Sequence, residues 1–419
     1  MNTLSAARET KPAKRSSTYK MLDAWRGIAA FWVVMTHATV GLMTDTPGLI
    51  SQPIYRFSTF GRLGVVMFFV ISGYCIAAAA ANALSKPQPT WSFAIARLRR
   101  IYPPYYASTL LMAVITTAAM WMAAHHHGPP VDHLVPVLGQ PAKFYLAALT
   151  LTQLPLSAKL ILEVYWSLCY EVSFYLIIAI CLFALGKKSG RASDGVKTQA
   201  AVIFMPLNIL SVASLIWLIA SPATCPFPLN MWYQFGFGVL LYQLVVDPEN
   251  KVVRALGATI VALSIAFAVI HQGPHSLGHP STRIEAVFCT LFAAFLLWAY
   301  RHDARLIRIP VIRAAAWVGT FSYSLYLTHT ILRPILLHIG HSLHLVGSRY
   351  WASFLLQIVV DIAFAYVFFL IFERPLLSSR ARTREATIDP DAGGKLHARL
   401  APAADQEASI ATPEKQPVT

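Results

Sequence analysis

Charged side chains are scarce in this sequence. Only 13% of its 419 residues are Asp, Glu, Lys or Arg, whereas 56% are hydrophobic. Because a soluble domain has about 25% charged residues, a soluble globular protein is excluded. A membrane-spanning helix needs about 20 mostly apolar residues, and runs of this length recur along the chain without the alternation of a barrel strand. The sequence therefore predicts an all-α, polytopic integral membrane protein.

Cysteine is also rare, and no CxxC spacing occurs among the five cysteines. This excludes a disulfide framework and a cysteine-based zinc site, so we expect the thiols to pack as small buried hydrophobes. The stretch "HHHGPP" at 125–130 contains three histidines. Consecutive side chains point in different directions and cannot easily share one tetrahedral ion. We therefore predict a solvated turn there and no metal site.

Ten transmembrane helices are predicted. They lie near residues 22–43, 62–82, 101–124, 165–186, 199–220, 229–246, 252–271, 283–300, 314–338 and 350–372. The longest connection, 125–164, contains the apolar stretch "AKFYLAALTLTQLP", which is too short to span. We expect this stretch to lie in the interface or to re-enter the membrane.

Basic residues are unevenly distributed between the predicted loops. With a cytoplasmic N-terminus, 26 of the 34 Lys and Arg residues fall on the cytoplasmic side. Both termini are therefore predicted to be cytoplasmic, in the inner or plasma membrane of the cell. The net charge of +15 follows from this topology and from attraction to anionic lipid, so no nucleic-acid partner is predicted.

Three segments make up the predicted domain organisation. Residues 1–21 form a cytoplasmic arm, 22–376 form the transmembrane domain, and 377–419 form a tail rich in Ala, Pro, Glu and Thr. That composition predicts a disordered tail.

Three ionisable side chains fall at one depth in the predicted spans. At 1.5 Å per residue, His37 lies about 22 Å from the cytoplasmic end of the first span, and Glu171 and His329 lie about 21 Å from that side. Ionisable residues inside a membrane usually mark a site or pathway. The alternatives are structural: a buried pair of Glu171 with Arg62, or a packing seam around His329.

Two further ion pairs are predicted from position alone. Asp23 and Arg26 are three residues apart on one helix, a spacing that favours a local pair. Asp361 and Arg333 lie on neighbouring spans and are expected to pair with each other.

Closer to the cytoplasm, the polar residues are cationic. The stretch "RLRRIYPPYY" places Arg97, Arg99 and Arg100 where a loop enters the third span, and Arg26 lies on the same side. Guanidinium groups suit bidentate contacts with phosphate oxygens, so these arginines are candidate phosphate ligands. Simple anchoring on the cytoplasmic side is the alternative.

Six short segments, in order, resemble the acyltransferase-3 family of membrane-bound acyltransferases, which includes bacterial polysaccharide O-acetyltransferases. The resemblance covers roughly residues 20–376. The segments are "LDAWRGIAAFWVVMTHA", "FGRLGVVMFFVISGYCI", Arg97-x-x-Arg100, "WSLCYE" ending at Glu171, "SYSLYLTH" ending at His329, and "ERP" at 373–375.

The resemblance implies an acyl-CoA co-substrate on the cytoplasmic side and a carbohydrate hydroxyl as acceptor on the outer side. It implies an acetyl group as the usual acyl group and no permanently bound cofactor. The residues that match the family's essential positions are Arg26, Arg97 and Arg100 for the donor, and His37 and Glu171 for catalysis. His329, Tyr323, Trp166 and Ser167, from the last motifs, are candidate supporting or acceptor-side residues.

Two mechanisms remain open from the residues. His37 could take the hydroxyl proton and return it to the leaving thiolate, with Glu171 orienting the ring. Alternatively, His37 could accept the acyl group itself as a nucleophile. The rival class is a proton-coupled transporter or flippase, which would also bury His, Glu and Arg. The sequence shows no paired internal repeat of the kind that carriers often have.

Overall fold

The computed structural model describes residues 21–41, 53–126, 135–188, 196–271, 283–345 and 349–377. Regular structure within these ranges is helical, with no strand, as predicted. Apart from Met21 and Leu377, the predicted arm and tail lie outside the described residues, as does most of "HHHGPP". The helices are α1 Leu22–Gly41, α2 Pro53–Thr59, α3 Leu63–Ala83, α4 Pro89–His126, α5 Ala142–Thr150, α6 Trp166–Lys188, α7 Val196–Ala220, α8 Leu229–Val246, α9 Lys251–Ile270, α10 Arg283–Arg301, α11 Asp303–Leu306, α12 Pro310–Thr320, α13 Ser322–Thr328, α14 Arg333–Ser342 and α15 Tyr350–Phe368.

Seven stretches of the described chain are long and apolar enough to cross a membrane. They are Pro53–Ala83, Pro89–His125, Glu163–Ala184, Ile203–Ala220, Lys251–Ile270, Arg283–Arg301 and Tyr350–Leu376. Helices α1 and α8, with 20 and 18 residues, occupy two further predicted spans. Their mean hydropathy is lowered by polar residues such as Arg26 and Gln234. Since α8 is buried along most of its length, its polar side chains meet protein rather than lipid.

The predicted ninth span, 314–338, is wrong as a single helix. The chain forms α12, α13 and α14 there, with breaks at Phe321 and at residues 329–332. Pro334 lies in the first turn of α14. Backbone N–H groups in the first turn have no acceptor within the helix, so a proline there costs no hydrogen bond. The proline therefore starts a new helix instead of continuing α13, and His329 lies at the break.

Helix α4 starts twelve residues earlier than the predicted third span. It runs for 38 residues from Pro89, so Arg97 and Arg100 lie within the helix and not in a loop. Pro103 and Pro104 also lie inside it. Because proline has no N–H, these two residues leave the carbonyls of the preceding turn without their helical donors. Arg100 lies about one turn, and Arg97 about two turns, before these prolines on the same helix.

The connection between α4 and α6 packs against α4, and the predicted interfacial or re-entrant placement of its apolar stretch stays a prediction. The last three carbonyls of α5, from Ala148 to Thr150, accept hydrogen bonds from Tyr105, Tyr106 and Tyr102 of α4 at 2.7, 2.7 and 3.1 Å. Beyond α5, Gln153 is fully buried and bonds to Tyr105. As a result, α6 begins inside the helical bundle and not at its edge.

Helices α1 and α12 pack backbone against backbone. A Cβ on Gly27 would lie 1.9 Å from the carbonyl oxygen of Ala315, and a Cβ on Gly319 would lie 1.7 Å from that of Asp23. Only glycine permits this approach at both positions, a common device between membrane helices. The contact fixes the first turns of α1, which carry Arg26.

Candidate functional site

A cavity with polar walls opens among α1, α3, α4, α6 and α13. Its empty space is about 720 Å³, part of it open to solvent. It is lined by Arg26, Val65, Phe68, Phe69, Ile71, Ser72, Cys75, Ile76, Arg97, Arg100, Ile101, Ser167, Leu168, Glu171, Tyr175, Ser322, Tyr323 and Tyr326. Polar groups this deep in an apolar bundle are costly and mark a functional site. We refer to this space as the arginine cavity.

Three arginines from two helices line the arginine cavity. Arg26 comes from α1, while Arg97 and Arg100 share one face of α4 because they are three residues apart. The guanidinium carbon of Arg97 lies 6.0 Å from the ring centres of both Phe93 and Tyr175. Its buried Nε has no hydrogen-bond partner among the described residues. This arrangement is consistent with the prediction that the three arginines together bind the phosphate groups of the donor.

Arg26 also forms the predicted local pair. Its guanidinium lies 3.8 Å from the carboxylate of Asp23, and both side chains are only slightly exposed. Arg99, in contrast, is exposed and is not among the residues that line the cavity. The exposed position of Arg99 is typical of an anchoring residue, whereas Arg26, Arg97 and Arg100 line the cavity.

Glu171 is the acid in the wall of the arginine cavity. Its Oε1 accepts a hydrogen bond from Tyr175 at 2.6 Å and a longer one from Ser72 at 3.4 Å. Glu171 also interacts electrostatically with Arg100. The sequence placed this carboxylate at the depth of His37, but neither His37 nor His329 lines the cavity. Glu171 is the sixth residue of α6. Because α6 begins inside the bundle, this position places the carboxylate beside the arginines.

A second acid near the arginines was not predicted as a site residue. Glu373 is buried, and its Oε2 accepts hydrogen bonds from the backbone N–H of Ser324 at 3.2 Å and from its hydroxyl at 2.6 Å. It interacts electrostatically with Arg26 and Arg100. Glu373 ends a π-helical segment, Phe369–Glu373, that follows α15. Such segments often occur at functional sites. The sequence signal for Glu373 was the "ERP" motif, but the motif did not indicate which residues Glu373 would contact.

Tyr326 and Ser167 close the arginine cavity on the side of the histidines. Their side-chain oxygens lie 2.8 Å apart, and the Tyr326 hydroxyl also donates to the carbonyl of Val164 at 3.1 Å. Tyr323 lines the cavity and donates to the carbonyl of Ile101 at 2.8 Å.

Trp166 does not line the cavity. Its ring packs against Phe69 and Tyr170 with centroid distances of 6.2 and 5.9 Å. Of the four predicted supporting residues, Tyr323 and Ser167 therefore lie at the cavity, and Trp166 has a packing role.

His37 and His329 form a pair beyond Tyr326. Their ring centres lie 4.9 Å apart, and the His329 ring centre lies 6.0 Å from that of Tyr326. Arg333 interacts electrostatically with both imidazoles. The two histidines, which the sequence predicted to lie at one depth, are thus neighbours in the structure, and His329 lies next to Tyr326 in the wall of the arginine cavity.

The surroundings of His329 fix its tautomer. Its Nδ1 lies 3.1 Å from the carbonyl oxygen of Leu325 and 3.0 Å from that of Tyr326. Carbonyls only accept, so Nδ1 carries the proton and the neutral ring keeps a lone pair on Nε2. That Nε2 is buried without a hydrogen-bond partner among the described residues. An imidazole held in this way can accept a proton.

Two of the structural alternatives are wrong. Arg62 pairs with Glu285 at 3.2 Å, so Glu171 is not its partner. Asp361 is buried and interacts with Gln357, one turn away, and within the described chain its carboxylate forms no ion pair with Arg333. The sequence could not give these partners because pairing depends on the rotation of each helix about its axis.

A family model described as an acyltransferase domain, of the acyltransferase-3 type, matches residues 19–372. The chain belongs to the acyltransferase-3 family. The resemblance drawn from the six motifs is thereby confirmed. No curated protein and no solved structure matches the chain significantly. Together with the apolar helices, membership of this family identifies a multi-pass membrane acyltransferase.

Proposed function

We propose that this acyltransferase moves an acyl group, most simply acetyl, from cytoplasmic acyl-CoA to a hydroxyl of a cell-surface or exported carbohydrate. The proposal places it in the inner or plasma membrane with both termini cytoplasmic. One observation carries it: a cavity lined by three arginines is also lined by Tyr326, whose ring packs against His329 of the histidine pair. This arrangement offers anion-binding groups and proton-accepting groups on the two sides of Tyr326.

The arginine end suits the anionic part of the donor. Guanidinium groups form strong, directional hydrogen bonds with phosphate oxygens. Arg97 has a buried donor nitrogen without a partner among the residues that the structure describes, and Arg26 and Arg100 face the same space. Glu171 and Glu373 hold neighbouring groups in place and keep the local charge close to balanced. The mostly neutral pantetheine arm would then extend toward Tyr326.

The histidine pair suits the chemical step. In this proposal, the hydroxyl oxygen of the acceptor attacks the thioester carbonyl, and the carbon–sulfur bond breaks. The hydroxyl proton passes to an imidazole nitrogen of the pair and then to the CoA thiolate. His37 is the more accessible ring, and His329 has its proton anchored on Nδ1. Since Glu171 bonds to Tyr175 and Ser72, we assign the supporting role to His329 instead.

The alternative chemical step is an acyl-histidine intermediate on His37. Rapid acid quenching followed by peptide mass spectrometry separates the two routes. A labelled acyl group that remains on the peptide containing His37 would favour the covalent route. Labelled product without labelled peptide favours direct transfer.

Donor binding tests the proposal, with an internal control on the same helix. Arg97→Ala and Arg100→Ala should each weaken acetyl-CoA binding by about 10- to 100-fold, because a hydrogen bond to a charged group contributes about 1.5–3 kcal/mol. Arg97→Lys should restore only part of this affinity, since ammonium cannot form the bidentate fork. Arg99→Ala, at the exposed neighbour, should bind normally.

The measurement is calorimetric titration of the purified, detergent-solubilised variants. Equal affinities for the Arg97, Arg99 and Arg100 variants would contradict a donor site in the arginine cavity. Binding that is lost with no change in carbohydrate acylation would contradict the proposed donor.

A further inference from the structure

A line of polar residues follows the buried face of α15. Tyr350, Ser353, Gln357 and Asp361 are all buried, and their spacings of three and four residues put them on successive turns of one face. The opposite face of α15 is apolar and exposed, as shown by Val359. An amphipathic pattern of this kind turns the polar side toward protein and the apolar side toward lipid.

Within the described chain, three of these four side chains have buried polar atoms without a well-formed hydrogen bond. These atoms are the Tyr350 hydroxyl, the Gln357 Nε2 and both Asp361 oxygens. Gln357 and Asp361, one turn apart on α15, interact with each other. Gln357 is 2% exposed and Asp361 is 1% exposed. Buried polar atoms are bonded to protein or to ordered water in nearly all proteins, because leaving them unpaired is costly.

The helices that face this line have the same feature. α15 packs against α13 and α14, and the turn between these two helices carries Thr330 and His329. The hydroxyl oxygen of Thr330 and the Nε2 of His329 are also buried without a partner among the described residues. Five of the nine described residues that have such atoms therefore belong to α15 or to the turn between α13 and α14.

We propose that this junction holds a file of ordered water molecules. The file starts at Tyr350, where α15 begins, and runs along Ser353 and Gln357 to Asp361, with Thr330 on the facing turn. Each water would supply the donors and acceptors that these side chains lack. In the orientation given under Proposed function, on which this last point rests, the file connects the outer surface with the layer of the histidine pair. It would let protons exchange with that layer without passing through the arginine cavity.

Substituted cysteines with silver ions as the probe test the water file. Ser353→Cys and Gln357→Cys place thiols on the polar face, and Val359→Cys places one on the lipid face. A thiol ionises only where water solvates the thiolate, so we expect the first two to react with Ag⁺ at least about tenfold faster than Val359→Cys. Ser353→Cys should react no more slowly than Gln357→Cys, because it lies closer to the mouth of the file.

Reaction is read as protection from alkylation after denaturation, peptide by peptide, in nanodiscs. The native Cys75, which lines the arginine cavity, serves as the reactive control, and the fully buried Cys289 serves as the unreactive one. If Gln357→Cys and Val359→Cys react at the same slow rate, the junction is a dry packing seam and the proposal is overturned.

The unaltered protein provides an independent readout should a variant fold poorly. Brief hydroxyl-radical labelling modifies side chains that contact ordered water. Phe354, which lies along the file, should be labelled faster than Phe368, which is similarly buried farther along the same helix. Equal labelling of these aromatics would contradict the proposal. Neither test requires catalytic activity, so its failure is distinct from failure of the proposed acyl transfer.

Discussion

The two histidines of the pair are held in different ways. Two backbone carbonyls anchor the His329 ring, which is fully buried. The ring nitrogens of His37 have no hydrogen bond to any described residue, and the side chain is partly exposed. His329 can therefore hold its proton-accepting nitrogen in one place, while the His37 ring can contact a substrate.

Substitution of either histidine should stop transfer without preventing donor binding. We expect His37→Ala and His329→Gln to lower the rate by about 10²- to 10⁴-fold, the usual contribution of a positioned proton acceptor. The double variant should lose little more than either single one if the rings act as a unit. Product formation and CoA release by the purified enzyme measure the rate. His125→Ala, which changes an exposed histidine next to Trp121, should have no effect; normal rates for His37→Ala would disprove the mechanism.

Glu373 should matter for stability more than a surface acid does. Glu373→Ala leaves the N–H and hydroxyl of Ser324 without their acceptor and removes a negative charge near two buried arginines. Breaking such a buried arrangement typically costs about 3–5 kcal/mol. Glu249→Ala, which breaks an exposed ion pair with Arg254, should leave the melting temperature almost unchanged. Thermal unfolding in detergent compares the two, and equal shifts would contradict the role of Glu373.

Among the helices, the contact between α1 and α12 leaves least room for change. At Gly27 the neighbouring atom is a backbone oxygen, which cannot move away as a flexible side chain can. Gly27→Ala should therefore destabilise the protein by about 1–3 kcal/mol or more through overpacking. Gly257→Ala is the matched control, because its new methyl group would meet only the Leu240 side chain at 3.3 Å or more. A lower melting temperature for the Gly27 variant alone is the expected result.

The elements show which features a sequence can predict. Long apolar runs gave most of the spans, because length and hydropathy decide membrane insertion. The spacing of Arg97 and Arg100 gave their shared face, because helix geometry is constant. The place of Glu171 in the wall of the arginine cavity could not be predicted, since no local pattern reveals how the segment before α6 packs. Glu373 was missed because its position depends on a π-helical segment that hydropathy does not detect.

At the scale of the whole molecule, the prediction that can be tested directly is orientation. The basic residues are concentrated in the segments assigned to the cytoplasm, which predicts cytoplasmic termini. A reporter fused after residue 380 should be active in the cytoplasm, and one inserted near residue 276 should be active outside. Alkaline phosphatase and green fluorescent protein fusions give opposite signals for the two sides. The reverse signal at either position would contradict the predicted topology.

The tyrosine hydroxyls that bind the end of α5 have a consequence for biosynthesis. Helix α5 has only nine residues, so it cannot enter the bilayer as an independent span. Its last carbonyls find donors only on α4, which is synthesised first. In lipid those carbonyls would otherwise have no partner. We therefore expect this segment to dock only after α4 is inserted, so that these contacts form in order from the N-terminal side.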